Sequence, residues 1–242
     1  MITSKGFEED KWESVINSQL LSANVACELL LMEMDVKEML LELNKYKTCL
    51  KNWIDLLSSK RNKFNLNFGR VHDIEESFWS LKYGLNGKID ITLNVTDEKK
   101  NDQLWPIELK SGKPRYSLEH FGQVLLYLMM LEERYSIKNL PSGLLVYLIE
   151  NCNDFTGGKL DKIRVKPNEM SFRGLIQRRN QIASSYTSLL RSADSIKLPP
   201  KTTNDYLCNY CGHKTTCDLI SDIEDSHMVS CSLVGSSILQ GF

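Results

Sequence analysis

The run Lys88-Ile89-Asp90-Ile91-Thr92-Leu93-Asn94-Val95 alternates polar and apolar residues, and its reading decides the fold. Side chains along a strand point to opposite faces in turn, so the run predicts a strand with Asp90 opposite Ile89 and Ile91. Just upstream lie a strand-like run at 74–81 and the turn Gly84-Leu85-Asn86-Gly87. Downstream, 96–103 reads as a polar loop, and Leu104-Trp105-Pro106-Ile107-Glu108-Leu109-Lys110 alternates again. Glu108 and Lys110 fall on one face of that strand, with Trp105, Ile107 and Leu109 on the other. Pro106, which has no N–H to donate, predicts a strand at a sheet edge or one with an irregular start.

Working outward, Gly112 and Pro114 break the strand, and Ser117 suits the N-cap of a helix reaching about residue 133, with Gly122 a weak point. Leu144-Leu145-Val146-Tyr147-Leu148-Ile149 is continuously apolar, the pattern of a strand buried on both faces. A short strand is expected at 162–165 and a helix at 168–191, before Pro199-Pro200. Toward the N-terminus, 9–59 reads as helical, with Leu30, Met34, Val36, Met39, Leu40 and Leu43 at helical spacing; 65–70 breaks the pattern. Helix, three strands, helix, strand, helix is the order of an α/β domain with a mixed sheet flanked by helices. The expected divisions are a helical segment at 1–62, a core at 63–200, a cysteine segment at 201–225 and a tail at 226–242.

The 242 residues suffice for one sizeable domain with small attachments, and 42% hydrophobic with 25% charged residues is ordinary for a globular chain. No apolar run is long enough for a membrane span, and no secretory leader opens the sequence, so an intracellular, reducing compartment is expected. There, seven cysteines favour metal ligation over disulfides. With a net charge of −1, a nucleic-acid partner would have to be held by a local basic groove.

If the two alternating strands are neighbours, Asp90, Glu108 and Lys110 converge. Two carboxylates are hard ligands for Mg²⁺ or Mn²⁺, with the Leu109 carbonyl a further candidate. A bound ion would activate water and stabilise charge on a phosphate, and an ammonium would orient the water. Alternation alone favours charges that simply face solvent. Gln123 and Tyr127, four apart on an otherwise apolar helix, share one face and must be satisfied there.

Asp90, Glu108-Leu109-Lys110 and Gln123-x-x-x-Tyr127, in that order, resemble the signature of RecB-like PD-(D/E)XK nucleases, which have a restriction-endonuclease-like core. Longer stretches resemble the nuclease module of the eukaryotic replication and repair helicase/nuclease, the Dna-two family. These include Asp73-Ile74-Glu75-Glu76-Ser77, Tyr83-Gly84-Leu85-x-Gly87-Lys88-Ile89-Asp90 and Pro106 to Lys113. They also include Glu119-His120-x-x-Gln123-Val124-x-Leu126-Tyr127 and Arg179-Asn180-Gln181-Ile182-Ala183. The resemblance covers about 12–225. It implies Mg²⁺- or Mn²⁺-dependent cutting of single-stranded or flap DNA in the nucleus, and in mitochondria, alongside replication and repair proteins. Asp90 and Glu108 would be metal ligands, Lys110 the catalytic lysine, Gln123 and Tyr127 a supporting pair, and Glu75 and Glu76 weaker site candidates.

Cys208-x-x-Cys211-x5-Cys217 is a compact cysteine cluster, for which zinc is the generic expectation. The resemblance instead implies a [4Fe-4S] cluster with these three as its C-terminal ligands. The family's fourth cysteine, and the histidine of a G-x-x-x-H motif, lie upstream of its core; here the opening Gly6-Phe7-Glu8-Glu9-Asp10 holds neither. Cys27 and Cys49 are expected as core thiols, while His213, Cys231 and Glu9 are conceivable substitutes. An incomplete chain would explain the gap and the missing helicase part. No G-x-x-x-x-G-K-[ST] phosphate loop occurs in these residues, so no ATP-driven activity is expected of them.

For the DNA backbone, Lys113 and Arg115 directly follow the catalytic strand, and Arg178, Arg179, Lys162, Arg164 and Lys166 are candidate extensions of a groove. Trp79 and Trp105 are expected in the core. The leading reading is a DNA nuclease module, the alternative a catalytically impaired DNA-binding fragment of the same family, and the third a zinc-stabilised interaction module.

Overall fold

The computed structural model describes residues 9–59, 66–97, 100–113, 117–152, 164–191, 202 and 205–226. The chain divides into two compact units, Met1–Arg178 and Arg179–Phe242, each treated by itself.

The helical opening is three helices: α1 (Glu9–Leu20), α2 (Ala23–Leu31) and α3 (Val36–Ser58). The last starts firmly. Asp35 accepts from the Glu38 N–H at 2.8 Å and the Glu38 carboxylate accepts from the Asp35 N–H at 3.0 Å, a reciprocal capping box. Five strands follow: β1 (Asn67–Ser80), β2 (Leu85–Thr96), β3 (Asp102–Ser111), β4 (Gly143–Leu148) and β5 (Arg164–Val165). Helix α4 (Leu118–Tyr135) joins β3 to β4, and α5 (Glu169–Arg191) follows β5. The sheet order is β1-β2-β3-β4-β5. Among the described strands only β3 and β4 pair in parallel, and α4 supplies the crossover that such a pair needs.

Ser117 caps α4 through the His120 N–H, as its position foretells. Cys49 and Trp53 of α3 both donate to the Tyr147 carbonyl, at 3.6 and 3.2 Å, fixing α3 on the central strands. Between helices and sheet lies a core that includes Trp53, Leu93, Trp105, Ile107, Leu128 and Leu144.

Four expectations need correction. Pro106 does not mark an edge: β3 is central, and Pro106 is fully buried opposite Thr92. The parallel ladder with β4 begins one residue later, at Ile107↔Leu144, so the missing N–H deprives no recorded pair on that side. Trp79 is 78% exposed, because β1 alternates and its buried neighbours Phe78 and Ser80 take the inner face; Trp105, at 1%, is in the core as expected. Cys27 is exposed, unlike Cys49, because it lies on the outer side of α2, whose only buried residue is Leu29. Finally, β1 reaches back to Asn67 through residues that read as a break, because two register shifts, at 68/71 and 71/73, absorb the pattern.

Gly143 opens β4 where no side chain fits. A Cβ there would lie 2.4 Å from Val124 Cγ1 and 3.1 Å from both Pro106 Cγ and the Pro106 carbonyl oxygen. Gly143→Ala should therefore cost about 1–3 kcal/mol of stability through overpacking between α4 and β3, read as a lower midpoint in urea.

Candidate active site

The β2–β3 register pairs Ile91 with Ile107, so one step along each strand puts Asp90 opposite Glu108. Asp90 Oδ2 accepts from the Leu109 N–H at 2.7 Å, which fixes that carboxylate against β3. Lys110 Nζ lies 2.6 Å from Glu108 Oε1, so the two share a face as their spacing requires. Glu108 is only 3% exposed, and among the described residues its Oε2 has no hydrogen-bond partner. A buried acceptor left open costs free energy unless something from outside completes it.

Helix α4 closes the site. Gln123 Nε2 donates to Tyr127 Oη at 2.7 Å, and the Tyr127 hydroxyl in turn interacts with the Glu108 carboxylate. Burial foremost pushes the Tyr127 hydroxyl well above the usual tyrosine range, and the Glu108 and Asp90 charges add to it, while Gln123 opposes. Tyr127 is therefore neutral, a hydrogen-bonding wall beside the carboxylates. Asp90 is also raised above the usual carboxylate range. Burial is the main cause and the charges of Glu108 and Glu75 contribute, against the Leu109 N–H and Lys110.

Two features were less visible in the sequence. Ile74 pairs with Ile91 and Glu76 with Ile89, so Glu75 sits opposite Asp90, in one row across three strands with Glu108. Glu75 has φ +55°, a left-handed conformation that is rare for a non-glycine residue within a strand. Its carboxylate is held by Lys88 Nζ at 2.5 Å. The neighbouring Glu76 points inward instead, accepting from Tyr135 Oη at 2.5 Å and Thr92 Oγ1 at 3.2 Å. The adjacent pair thus splits, Glu75 toward the charged row and Glu76 into the protein. The second feature is His120, whose Nδ1 meets Tyr147 Oη at 2.9 Å; Tyr147 pairs with Lys110. Only the register of β4 reveals that neighbour.

The donor set suits Mg²⁺ or Mn²⁺. It offers two carboxylates, and among the described residues one of their buried oxygens, Glu108 Oε2, is unsatisfied. Among the described residues, no three His, Cys, Asp or Glu side chains gather tightly enough to hold a metal by themselves. That is compatible with Mg²⁺, which commonly takes one or two carboxylates and completes its shell with water and phosphate.

The remaining candidates lie elsewhere. Lys113 is exposed just after β3, beside Gly112, whose N–H donates to the Leu148 carbonyl at 2.9 Å. Arg115, Lys162 and Cys231 fall outside the described residues. Arg164, expected along a groove, is turned onto the core: its Nε donates to Ser142 Oγ at 3.1 Å and its guanidinium stacks 5.0 Å from the Trp105 ring. Arg179 belongs to the second unit.

That unit also carries Cys208 on α6 (Asp205–Asn209), Cys211 in the following turn and Cys217 on α7 (Lys214–Ser226). Its backbone turn is tied by the Cys211 N–H to the Cys208 carbonyl at 3.2 Å and by the Cys217 N–H to the His213 carbonyl at 2.9 Å. Cys208 is half-buried, the other two exposed, and their sulfurs are not drawn together around one point.

A five-stranded mixed sheet flanked by helices, with an aspartate and a Glu-x-Lys on adjacent central strands, is a restriction-endonuclease-like, PD-(D/E)XK fold. Residues 1–95 match the model of the family described as DNA replication factor Dna2. The chain is 36% identical over 170 residues to the DNA replication ATP-dependent helicase/nuclease JHS1 of Arabidopsis thaliana, covering 67% of this chain and 12% of that protein. It is 34% identical over 186 residues to the human helicase/nuclease DNA2, covering 73% and 16%. Against the Xenopus tropicalis DNA2, identity is 25% over 262 aligned positions, covering 98% and 24%. The chain belongs to the Dna2 family and spans between 12% and 24% of the length of these three relatives.

Proposed function

We propose that this chain is a metal-dependent nuclease module that cleaves single-stranded or flap DNA in replication and repair. The observation that carries the reading is the buried, unpartnered Oε2 of Glu108, set between Asp90 and Lys110. Asp90, Glu108 and the Leu109 carbonyl are the groups to hold Mg²⁺ or Mn²⁺. Once bound, such an ion supplies a water of lowered pKa and offsets charge on the phosphate. The Leu109 N–H keeps Asp90 turned inward. Lys110, released from Glu108, is placed to orient the attacking water or offset charge. Gln123 and Tyr127 exclude bulk water on the helix side. Lys113 steadies the strand's phosphates and Arg115 is proposed to extend that contact, while Arg179, of the second unit, is proposed as a phosphate contact of its own.

The experiment is incubation of the full chain with single-stranded, flapped and duplex DNA in Mg²⁺ or Mn²⁺, beside Lys110→Ala. Metal-dependent cutting of single strands, lost in the variant, supports the reading. Equal cutting by the variant sinks the site assignment. A folded chain that binds DNA but does not cut it supports the second reading, a DNA-binding fragment.

The proposal for the second unit is that Cys208, Cys211 and Cys217 ligate a [4Fe-4S] cluster, with zinc as the alternative. The ten-residue spacing and the short turn linking α6 to α7 support it. Protein purified without oxygen should be coloured, and Cys208→Ser should lose both colour and iron; a colourless, zinc-loaded protein would decide for zinc. We further propose a nuclear location, checked by imaging the tagged chain in cells.

A further inference from the structure

The start of β2 and the middle of α4 line a half-open cavity of about 210 Å³, which shares Gln123 and Tyr127 with the wall of the carboxylate site. Its lining includes Leu85, Asn86, Gly87, Gln123, Leu126 and Tyr127. We infer that this cavity receives one unpaired nucleobase of the DNA strand whose phosphate lies at the carboxylates; the inference rests on the nuclease reading and names its substrate feature.

Three observations carry it. The first is continuity. Gln123 and Tyr127 belong to both places: their 2.7 Å hydrogen bond closes the carboxylate site, and their side chains wall the cavity. The two places thus share one wall, along which a strand held at the carboxylates would run. The second is chemistry. Leu85, Leu126 and Met130 make an apolar slot, Tyr127 gives it an aromatic ring, and the amides of Asn86 and Gln123 supply donors and acceptors. A flat heteroaromatic ring with polar edges matches that mixture, and base–aromatic contacts tolerate any sequence. The third is the bare backbone of Gly87, onto which Met130 packs. A Cβ there would lie 2.8 Å from Met130 Cε and 3.6 Å from Tyr127 Cε1, so a side chain would push Met130 and crowd the slot. A base within a duplex is stacked and paired along its polar edge, and it enters such a slot only after extrusion. The cavity thus selects a single strand without reading its sequence.

The test separates this inference from the cutting reaction. Binding of the full chain to oligothymidylate, and to an abasic oligomer of the same length, is measured by fluorescence anisotropy in EDTA, where no cleavage is needed. Wild type should hold the base-bearing strand about tenfold more tightly. Leu126→Trp, which fills the slot, and Asn86→Ala, an exposed position with little folding burden, should each lose most of that preference. Both should keep the salt dependence of the phosphate contacts. No preference in wild type, or the same preference in both variants, overturns the inference. Preserved base preference with no cutting in Mg²⁺ would refute the nuclease reading and leave the base slot standing. Cutting with no base preference would do the reverse.

Discussion

Asp90→Asn is expected to reduce metal-dependent cutting by at least about a thousandfold while raising the melting temperature of the metal-free protein at neutral pH. The first half follows from removing one of the two carboxylates proposed to hold the ion, a loss of about 4 kcal/mol in transition-state stabilisation. The second half follows from the charge environment. Burial, Glu108 and Glu75 raise the Asp90 pKa in the folded state above its ordinary value of 3.8. A carboxyl group raised on folding contributes stability that is complete below its unfolded pKa and is lost as pH rises through the folded pKa. At neutral pH the folded protein therefore carries the full penalty of that charge, and the neutral amide removes it. Each 1 kcal/mol of relief should appear as about 2–4 °C in a chain of this size. The gain should fade as pH is lowered through the raised Asp90 pKa, where the wild-type carboxyl takes up its own proton. Saturating Mg²⁺ should stabilise wild type but not the variant, since only wild type binds the ion well. A variant that cuts normally, or whose melting point falls equally at pH 4 and pH 7, would remove Asp90 from the proposed centre.

The second large effect is structural. Trp105→Ala should cost about 3–5 kcal/mol, a substantial share of the roughly 5–15 kcal/mol that holds a domain together. Trp105 is 1% exposed on the central strand. Its ring meets Phe68 edge-on at 6.0 Å and carries the Arg164 guanidinium at 5.0 Å, while its Nε1 donates to Gln103 Oε1 at 2.9 Å. Truncation empties the space between β1, β3 and β5 and frees Arg164 from its aromatic platform. Chemical denaturation should show a lower midpoint with an unchanged slope. Trp79→Ala, at an exposed tryptophan of similar size, is the control and should change stability little.

The functional row reconciles these two results. Asp90 stands in register with Glu75 and Glu108, whose charges add to the burial that raises the cost of its own charge, and the surrounding core tolerates that cost. Glu75 shows how: a left-handed residue and a 2.5 Å contact to Lys88 keep its charge in the row but matched. Strain of this kind is held only where the neighbouring structure over-determines it, here by Glu76 tied to Tyr135 and Thr92.

The sequence by itself determined the element order, the capped start of α4 and the pairing of Glu108 with Lys110 on one face. Those depend on local periodicity, which two residues of strand or four of helix are enough to impose. It also supplied the membership of the candidate site, because Asp90, Glu108, Lys110, Gln123 and Tyr127 lie in short patterned runs. The tertiary structure alone decided what depends on strand register and on packing between distant segments. Pro106 is central because β4 arrives beside β3 only after the α4 crossover. Glu75 joins the site through β1–β2 pairing, and Tyr147 comes beside Lys110 through β4. Trp79 faces outward and Trp105 inward because the sheet has one covered face at each position, a choice no run of residues announces. Local pattern fixes which residues share a side of an element; only the assembled sheet fixes what stands opposite them.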